Sequence, residues 1–381
     1  MASTLSKQWL RSLLIFLQVA MLATSVHASE YDEDDDASGI AGAVYTMSNS
    51  ASGNAILRFH RAANGTLTAA GSFPTGGVGS GGGLGNQGAL ILSQNNRWLY
   101  AVNAGSNDIS VFAVRPQGLV LTDKVPSGGI RPISLTVDRD LLYVLNAGGD
   151  GNISGFTIQR KGRLAPLPGS TRSLSGPNTA PAQIAFNPEG GILVVTEKAT
   201  NLIDTYEVAE DGLTTGPYLN NSVRATPFGF AFDRRGRLLV SEAVGGAVDG
   251  GSVSTYNITA SGLLEVISPA VATTETAVCW VVVTKNGRFA YVSNTGSGSL
   301  TAYRVAHDGR ITLRDADGRT GDTGTGSAPL DIAFSDNNRY IYTLNNGTHS
   351  LGAFRVQANG GLVALSGANG LPIGANGLAA H

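Results

Sequence analysis

The sequence predicts an all-β fold: a single seven-bladed β-propeller of four-stranded antiparallel blades, its ring closed by the C-terminal strand pairing with the N-terminal blade. Three observations predict it. Apolar runs of five or six residues, split by Asn/Asp/Gly turns, recur along the chain as strands joined by tight hairpins do. Anchor positions Tyr45, Tyr100, Tyr143, Val194, Val240, Tyr291 and Tyr342 lie about 43–55 residues apart, the period of a propeller blade. The first and last copies are incomplete in complementary ways: Gly42 begins a copy at its second strand, and residues 375–381 supply a first strand with nothing after it.

Taken in order, the copies begin at Gly42, Gly88, Pro132, Pro181, Pro227, Val278 and Pro329. Lettering the strands of each blade A to D from the inside out, the A–B turns include Gln94-Asn95-Asn96, Asp138-Arg139-Asp140 and Lys285-Asn286-Gly287, residue types that tolerate positive φ in hairpins. The A strands place large Ile184, Phe230 and Ile332 beside small Ala185, Ala231 and Ala333. Such strands are buried on both faces, so polarity need not alternate. The D strands, starting near Leu67, Leu164, Leu263 and Leu362, are the weakest runs, as befits outer edges.

The D–A loops are long and Gly-rich at 74–87, 170–180 and 315–328. Four antiparallel strands return them to the face that carries the B–C loops, where a propeller ligand site is expected. The glycine-rich run at 76–86 resembles a phosphate loop in composition only. No Lys-Ser/Thr follows at the required spacing, and a strand rather than a helix comes next, which excludes nucleotide binding.

Of 381 residues, 42% are hydrophobic and 14% charged, and the net charge is −2, so the core is large and nucleic acid is excluded as the main partner. An unbroken repeat makes residues 40–381 one domain despite the length. Lys7 and Arg11 precede an apolar run at 13–23, and Val26-His27-Ala28 offers small residues at the −3 and −1 sites. This pattern predicts a signal peptide, residues 1–28, cleaved after Ala28, a secreted or periplasmic protein, and no membrane span thereafter. Residues 29–39, rich in Asp and Glu, are expected to be a solvated, disordered tail. Cys279 is the only cysteine, so no internal disulfide forms, and its apolar setting predicts a small buried residue. His60, His307, His349 and His381 lack ligand spacing; no metal and no cofactor is expected.

The last position of strand B forms a column: Ser48, Asn103, Asn146, Glu197, Glu242, Asn294 and Asn345. Asn there begins the B–C turn by bonding backbone two residues on. Glu is expected to be too long for that task, so Glu197 and Glu242 are candidates for presenting carboxylates on the ligand face as general acid/base. Arg131 and Arg224, in D–A loops, are candidates to hold a carboxylate or phosphate, and Lys198 follows Glu197. Ser134, Gln183 and Asp331 share the second position after the Pro and are candidate ligand groups at the channel mouth.

Seven units with Tyr-Val-x-Asn closing strand B and Pro-x-x-x-x-Phe in strand A, as in Tyr291–Asn294 and Pro329–Phe334, resemble the seven-bladed lactonases, the family of 6-phosphogluconolactonases and the fungal 3-carboxymuconate lactonising cyclase. The resemblance spans roughly residues 40–381. It implies a small anionic lactone or sugar-acid substrate, opened by hydrolysis or formed by cycloisomerisation, with Glu197 as acid/base. Where the family has Pro closely followed by His, this chain has Pro132-Ile133-Ser134; where it has Gly-Pro-Arg-His, this chain has Ala180-Pro181-Ala182-Gln183; the family's Asn-Glu-Leu is matched by Glu197 alone. A weaker resemblance, carried by YVSNTGSGSLTAYRV and YAVNAGSNDISVF, is to Tyr-Val-Thr-Asn repeat propellers. It implies the alternative of a non-catalytic exported propeller binding protein or glycan through its loops. In either case a monomer is expected.

Overall fold

A computed structural model describes residues 39–381. The signal peptide and nearly all of the acidic segment expected from the sequence lie outside the described residues. Within them the chain forms seven antiparallel sheets. Blade 1 holds Ile40–Met47, Ala55–Ala62 and Leu67–Pro74, and its innermost strand is Asn376–Ala380. Val44 stands opposite Ala380 and Thr46 opposite Leu378, so the last strand of the chain closes the ring on the first. An unclosed ring would leave that apolar face and its backbone groups unpaired.

Blades 2 to 7 take consecutive stretches. Their innermost strands are Leu90–Leu92, Pro132–Asp138, Pro181–Phe186, Pro227–Phe232, Val278–Val283 and Pro329–Phe334. Their second strands end at Asn103, Asn146, Glu197, Glu242, Asn294 and Asn345. The outer strands depart from the sequence reading. In blade 5 the strand runs on to Leu264–Ala272, and in blades 3 and 6 it is split: Leu164–Pro166 and Arg172–Ser173 both pair with Asn152–Ile158, and Ile311–Leu313 and Gly321–Asp322 both pair with Ser299–Val305. The glycine-containing loops at 170–180 and 315–328 therefore return to the sheet edge before crossing to the next blade.

Neighbouring blades are joined by a repeated clasp. The Tyr143 hydroxyl donates to the Gly212 carbonyl (2.7 Å), Tyr291 to Gly360 (2.9 Å) and Tyr342 to Gly65 (3.0 Å), each in the next blade's C–D turn. Blades 4 and 5 carry Val194 and Val240 at the tyrosine position. There a threonine of the third strand makes the clasp instead: Thr205 donates to Gly262 (2.5 Å) and Thr255 to Gly309 (3.0 Å). The exchange is steric. Tyr143 faces Gly155 across the sheet, where a Cβ would come within 2.7 Å of the ring, whereas Val194 leaves room for Thr205 opposite. In blade 1 the residue opposite Tyr45 is Arg58, whose guanidinium donates to the Pro116 carbonyl of blade 2 (3.2 and 3.3 Å).

Candidate functional site

The B–C turns and D–A loops share one face, as their pairing shows: Asn54 donates its backbone N–H to Gly77 and Gly79 donates to Ser50. In five blades the residue just before the innermost strand has positive φ: Arg131, Ala180, Thr226, Ala277 and Ala328. Its carbonyl accepts the N–H of the residue following strand B, as Ala147 donates to Arg131 and Lys198 to Ala180. This step fixes the D–A loop against the B–C turn and so places Arg131 and Lys198.

The central channel is blocked beneath this face. The tail of the glycine-rich loop, residues 84–87, dips into the ring. The Gln87 amide bonds both backbone groups of Val281 in blade 6 (3.0 and 3.2 Å), its N–H donates to Ala182 of blade 4, and its carbonyl accepts the Ser134 hydroxyl (2.6 Å). Asn86 donates to the Ile133 carbonyl, and its own carbonyl accepts the Trp280 indole N–H (2.6 Å). Glycine runs permit this path because the backbone itself must pass close to other strands.

Above the plug lies a hollow of about 330 Å³ between blades 3 and 4, lined by Leu84, Arg131, Asp150, Asn178, Pro181 and Lys198 among others. The Lys198 ammonium group donates to the carbonyls of Gly85 (2.5 Å) and Pro181 (3.0 Å) and lies over the Phe228 ring. Burial pulls Lys198 down to about 8, with the Arg131 charge acting in the same direction and Cys279 opposing it. Arg131 is exposed at φ 56°, its N–H held by the Asn107 side chain (2.7 Å). Among the described residues neither cation makes an ion pair. Two unpaired cations around one hollow suit an anion. Cys279 is buried, and burial pushes its thiol up to about 11, so it is a poor nucleophile.

The two glutamates lie elsewhere than expected. Both are 0% exposed and neither lines the hollow. Glu is not too long for the turn: Glu242 accepts from the hydroxyls of Ser252 (2.6 Å), Ser254 (2.8 Å) and Ser222 (3.3 Å) and from the Arg224 N–H (3.1 Å), at the positions where Asn294 of blade 6 instead donates to the hydroxyls of Ser299 and Thr301 (both 2.9 Å). Glu197 accepts from Ser175 N–H (3.0 Å), Ser175 hydroxyl (2.5 Å) and Thr200 hydroxyl (2.6 Å). Beside it lies Asp204, whose carboxyl is pushed up to about 9, first by burial and then by the neighbouring Glu197. The longer side chains reach past the turn to the loop leading into their own blade.

Of the other candidates, Arg131 and Lys198 come together and the rest do not. Arg224 sits on the rim of blade 5, donating to Gly250 (3.2 Å). Ser134 is 0% exposed and spans Gln87 and the Ile184 N–H (3.1 Å), so it holds the plug. Gln183 bonds both backbone groups of Phe230 (3.0 and 2.7 Å). Asp331 lies with Gln183 below the plug, in a separate cavity. Asn86, Gln87 and Trp280 were missed by sequence reasoning; the glycine run marked a close backbone approach but not its target.

Comparison with known proteins agrees with this architecture. The family model "Lactonase, 7-bladed beta-propeller" matches residues 43–178 and 83–374. A 6-phosphogluconolactonase of Bacillus subtilis is 23% identical over 289 residues, covering 71% of this chain and 80% of that protein. A protein from Lactobacillus plantarum superposes with a TM-score of 0.70 at 18% identity, covering 86% of this chain and 95% of that one. The periplasmic gluconolactonase of Pseudomonas aeruginosa does so with a TM-score of 0.65 at 18% identity, covering 87% and 98%.

Proposed function

The chain belongs to the lactonase family of seven-bladed β-propellers, and from that membership we propose that it hydrolyses an anionic sugar-acid lactone in the hollow between blades 3 and 4. The observation that carries the reading is the pair of unpaired cations, Arg131 and Lys198, on that hollow. Arg131, always charged and exposed, holds the phosphate or carboxylate of the substrate.

Lys198 supplies the base. A neutral amine has two N–H donors and one lone pair. Gly85 and Pro181 use the two donors, and the lone pair remains for water. Water adds to the lactone carbonyl carbon as Lys198 takes its proton, and the carbonyl electron pair moves onto oxygen. Collapse of that adduct breaks the ring C–O bond, and the ring oxygen leaves with the proton from Lys198. The product is the open hydroxy acid, and the amine is regenerated. A base near 8 is suited to working at neutral pH.

In this reading Glu197 is a positioning residue: it ties Ser175 to the blade, four residues before Thr179 on the hollow wall. Glu242 does the same for the loop of Ser222 and Arg224. The leader pattern at residues 1–28 supports action outside the cytoplasm, secreted or periplasmic. Among the described residues no helix is long and apolar enough to cross a membrane. The second reading, a non-catalytic binding propeller, draws support from Ser134 and Gln183, which hold backbone where family members carry histidine.

The test is hydrolysis of 6-phosphogluconolactone and of gluconolactone, each corrected for spontaneous opening. The proposal expects turnover with preference for the phosphorylated substrate; equal rates with and without protein leave only the binding reading.

A further inference from the structure

Below the plug the channel opens again into a cavity of about 340 Å³, within the range of small-molecule sites. Its walls are contributed by Leu90, Leu135, Ile184, Ile332 and Leu378, from five different blades. The lining continues down to Gln94, exposed in an A–B turn on the face opposite the cationic hollow. Ile91, Leu92, Val137 and Ala185, the lining residues nearest that face, are only half buried, so the tube is reached from there.

At its closed end stands Asp331, 4% exposed. One of its oxygens accepts the Ile332 N–H (2.8 Å) and the Leu378 backbone also approaches the carboxyl; burial pushes the group up to about 8, and a cation beside it would favour the charged form. No lysine, arginine or histidine lines the cavity, and no ion pair to Asp331 exists among the described residues. The two amides nearby are already committed, Gln87 to Val281 and Gln183 to Phe230. At the closed end of the apolar tube the Asp331 carboxyl thus keeps unused acceptor capacity, while Thr136, farther along the wall, accepts the Phe186 N–H (3.0 Å).

We propose that this cavity is a second ligand site, taking a small alkylammonium compound with its ammonium on Asp331 and its hydrocarbon against the inner strands. The chemistry is complementary on both counts. An ammonium donates to the carboxylate lone pairs that backbone leaves open, and the alkyl chain replaces water on the apolar walls. A carboxylate or phosphate ligand is disfavoured, since it would set two acids together without a cation. The site is separate from the hollow of blades 3 and 4, because residues 84–87 lie between them.

The experiment is calorimetric titration of the purified protein with n-butylammonium, n-butanol and butyrate. n-Butylammonium should saturate one site, and the alcohol and the acid should bind at least about tenfold more weakly, the worth of one charge-assisted bond. Asp331→Asn should weaken n-butylammonium by about tenfold or more. Leu92→Trp, at the open end, should weaken all binding in the tube while leaving Asp331 in place. Absence of saturation by n-butylammonium up to roughly tens of millimolar overturns the proposal. So does equal binding of n-butanol, or unchanged affinity in a folded Asp331→Asn protein. If Asp331→Asn does not fold, the three-probe comparison on the unaltered protein still decides. Lactone turnover enters none of these outcomes.

Discussion

The Nζ of Lys198 lies 4.8 Å from the centre of the Phe228 ring. Lys198 follows the second strand of blade 4 and Phe228 belongs to the innermost strand of blade 5, so the contact spans two blades. An aromatic face steadies the charged form, but removal from water disfavours it more, and the net direction is downward, to about 8. With lysine side chains labelled at Cε and Nζ, NMR should show one titrating near pH 8, apart from the ordinary range, and that signal should vanish in Lys198→Met. A set titrating together above pH 10 would remove the basis for Lys198 as a base.

Arg131 is assigned to the substrate's charge rather than to its carbonyl. Arg131→Ala should lower kcat/KM for 6-phosphogluconolactone by about 10–100-fold, mostly through KM, the expected worth of a charge-assisted contact. For uncharged gluconolactone the loss should be smaller. Equal losses on both substrates would mean that Arg131 serves the fold or the chemistry instead.

Glu197→Gln distinguishes a carboxylate that reacts from one that positions. The amide keeps one acceptor oxygen but weakens the bonds from Ser175 and Thr200, and it leaves Asp204 beside a neutral neighbour. The expected outcome is a lower Tm with an activity loss of less than about tenfold, rescued in part by Glu197→Asp. A loss of about 10²–10⁴ at unchanged Tm, the mark of a general acid/base, would put Glu197 in the reaction.

What the sequence showed and concealed follows from the range of the interactions concerned. Turn chemistry and apolar runs are local, so the seven blades, their inner strands and the completing strand near Leu378 were legible. That Arg131 and Lys198 lie on the face of the B–C turns and D–A loops was legible because the repeat placed their loops. The role of Glu197 and Glu242 was not. Column position marked them as exceptions, but whether a long side chain turns outward or inward depends on partners such as Ser175 and Ser222, which lie in another loop. The plug is less local still, since Gln87 meets Val281 across 194 positions of sequence. Asp331 shared a repeat position with Ser134 and Gln183, and only the plug separates it from the hollow.

Closure of the ring also has a direct test. Removing residues 375–381 deletes the strand paired with Ile40–Met47 and the buried Leu378, together with the Tyr45–His381 stack at 5.8 Å. The truncated protein should lose about 3–5 kcal/mol of stability, from a lost strand and a buried leucine together. A melting curve like that of the full chain would show that blade 1 does not depend on its innermost strand.

In the proposed chemistry the half-buried Lys198, in the hollow of blades 3 and 4, takes the proton from water during lactone opening. The most direct measurement is the pH dependence of kcat/KM for 6-phosphogluconolactone, net of spontaneous hydrolysis, in the unaltered protein and in Lys198→Met. Because the neutral amine is the active form, the rate should rise with pH and level off above about 8. Lys198→Met should lose about 10²–10⁴ of the rate and the rise with it. A Lys198→Met protein that keeps both the rate and the pH profile would rule out Lys198 as the base.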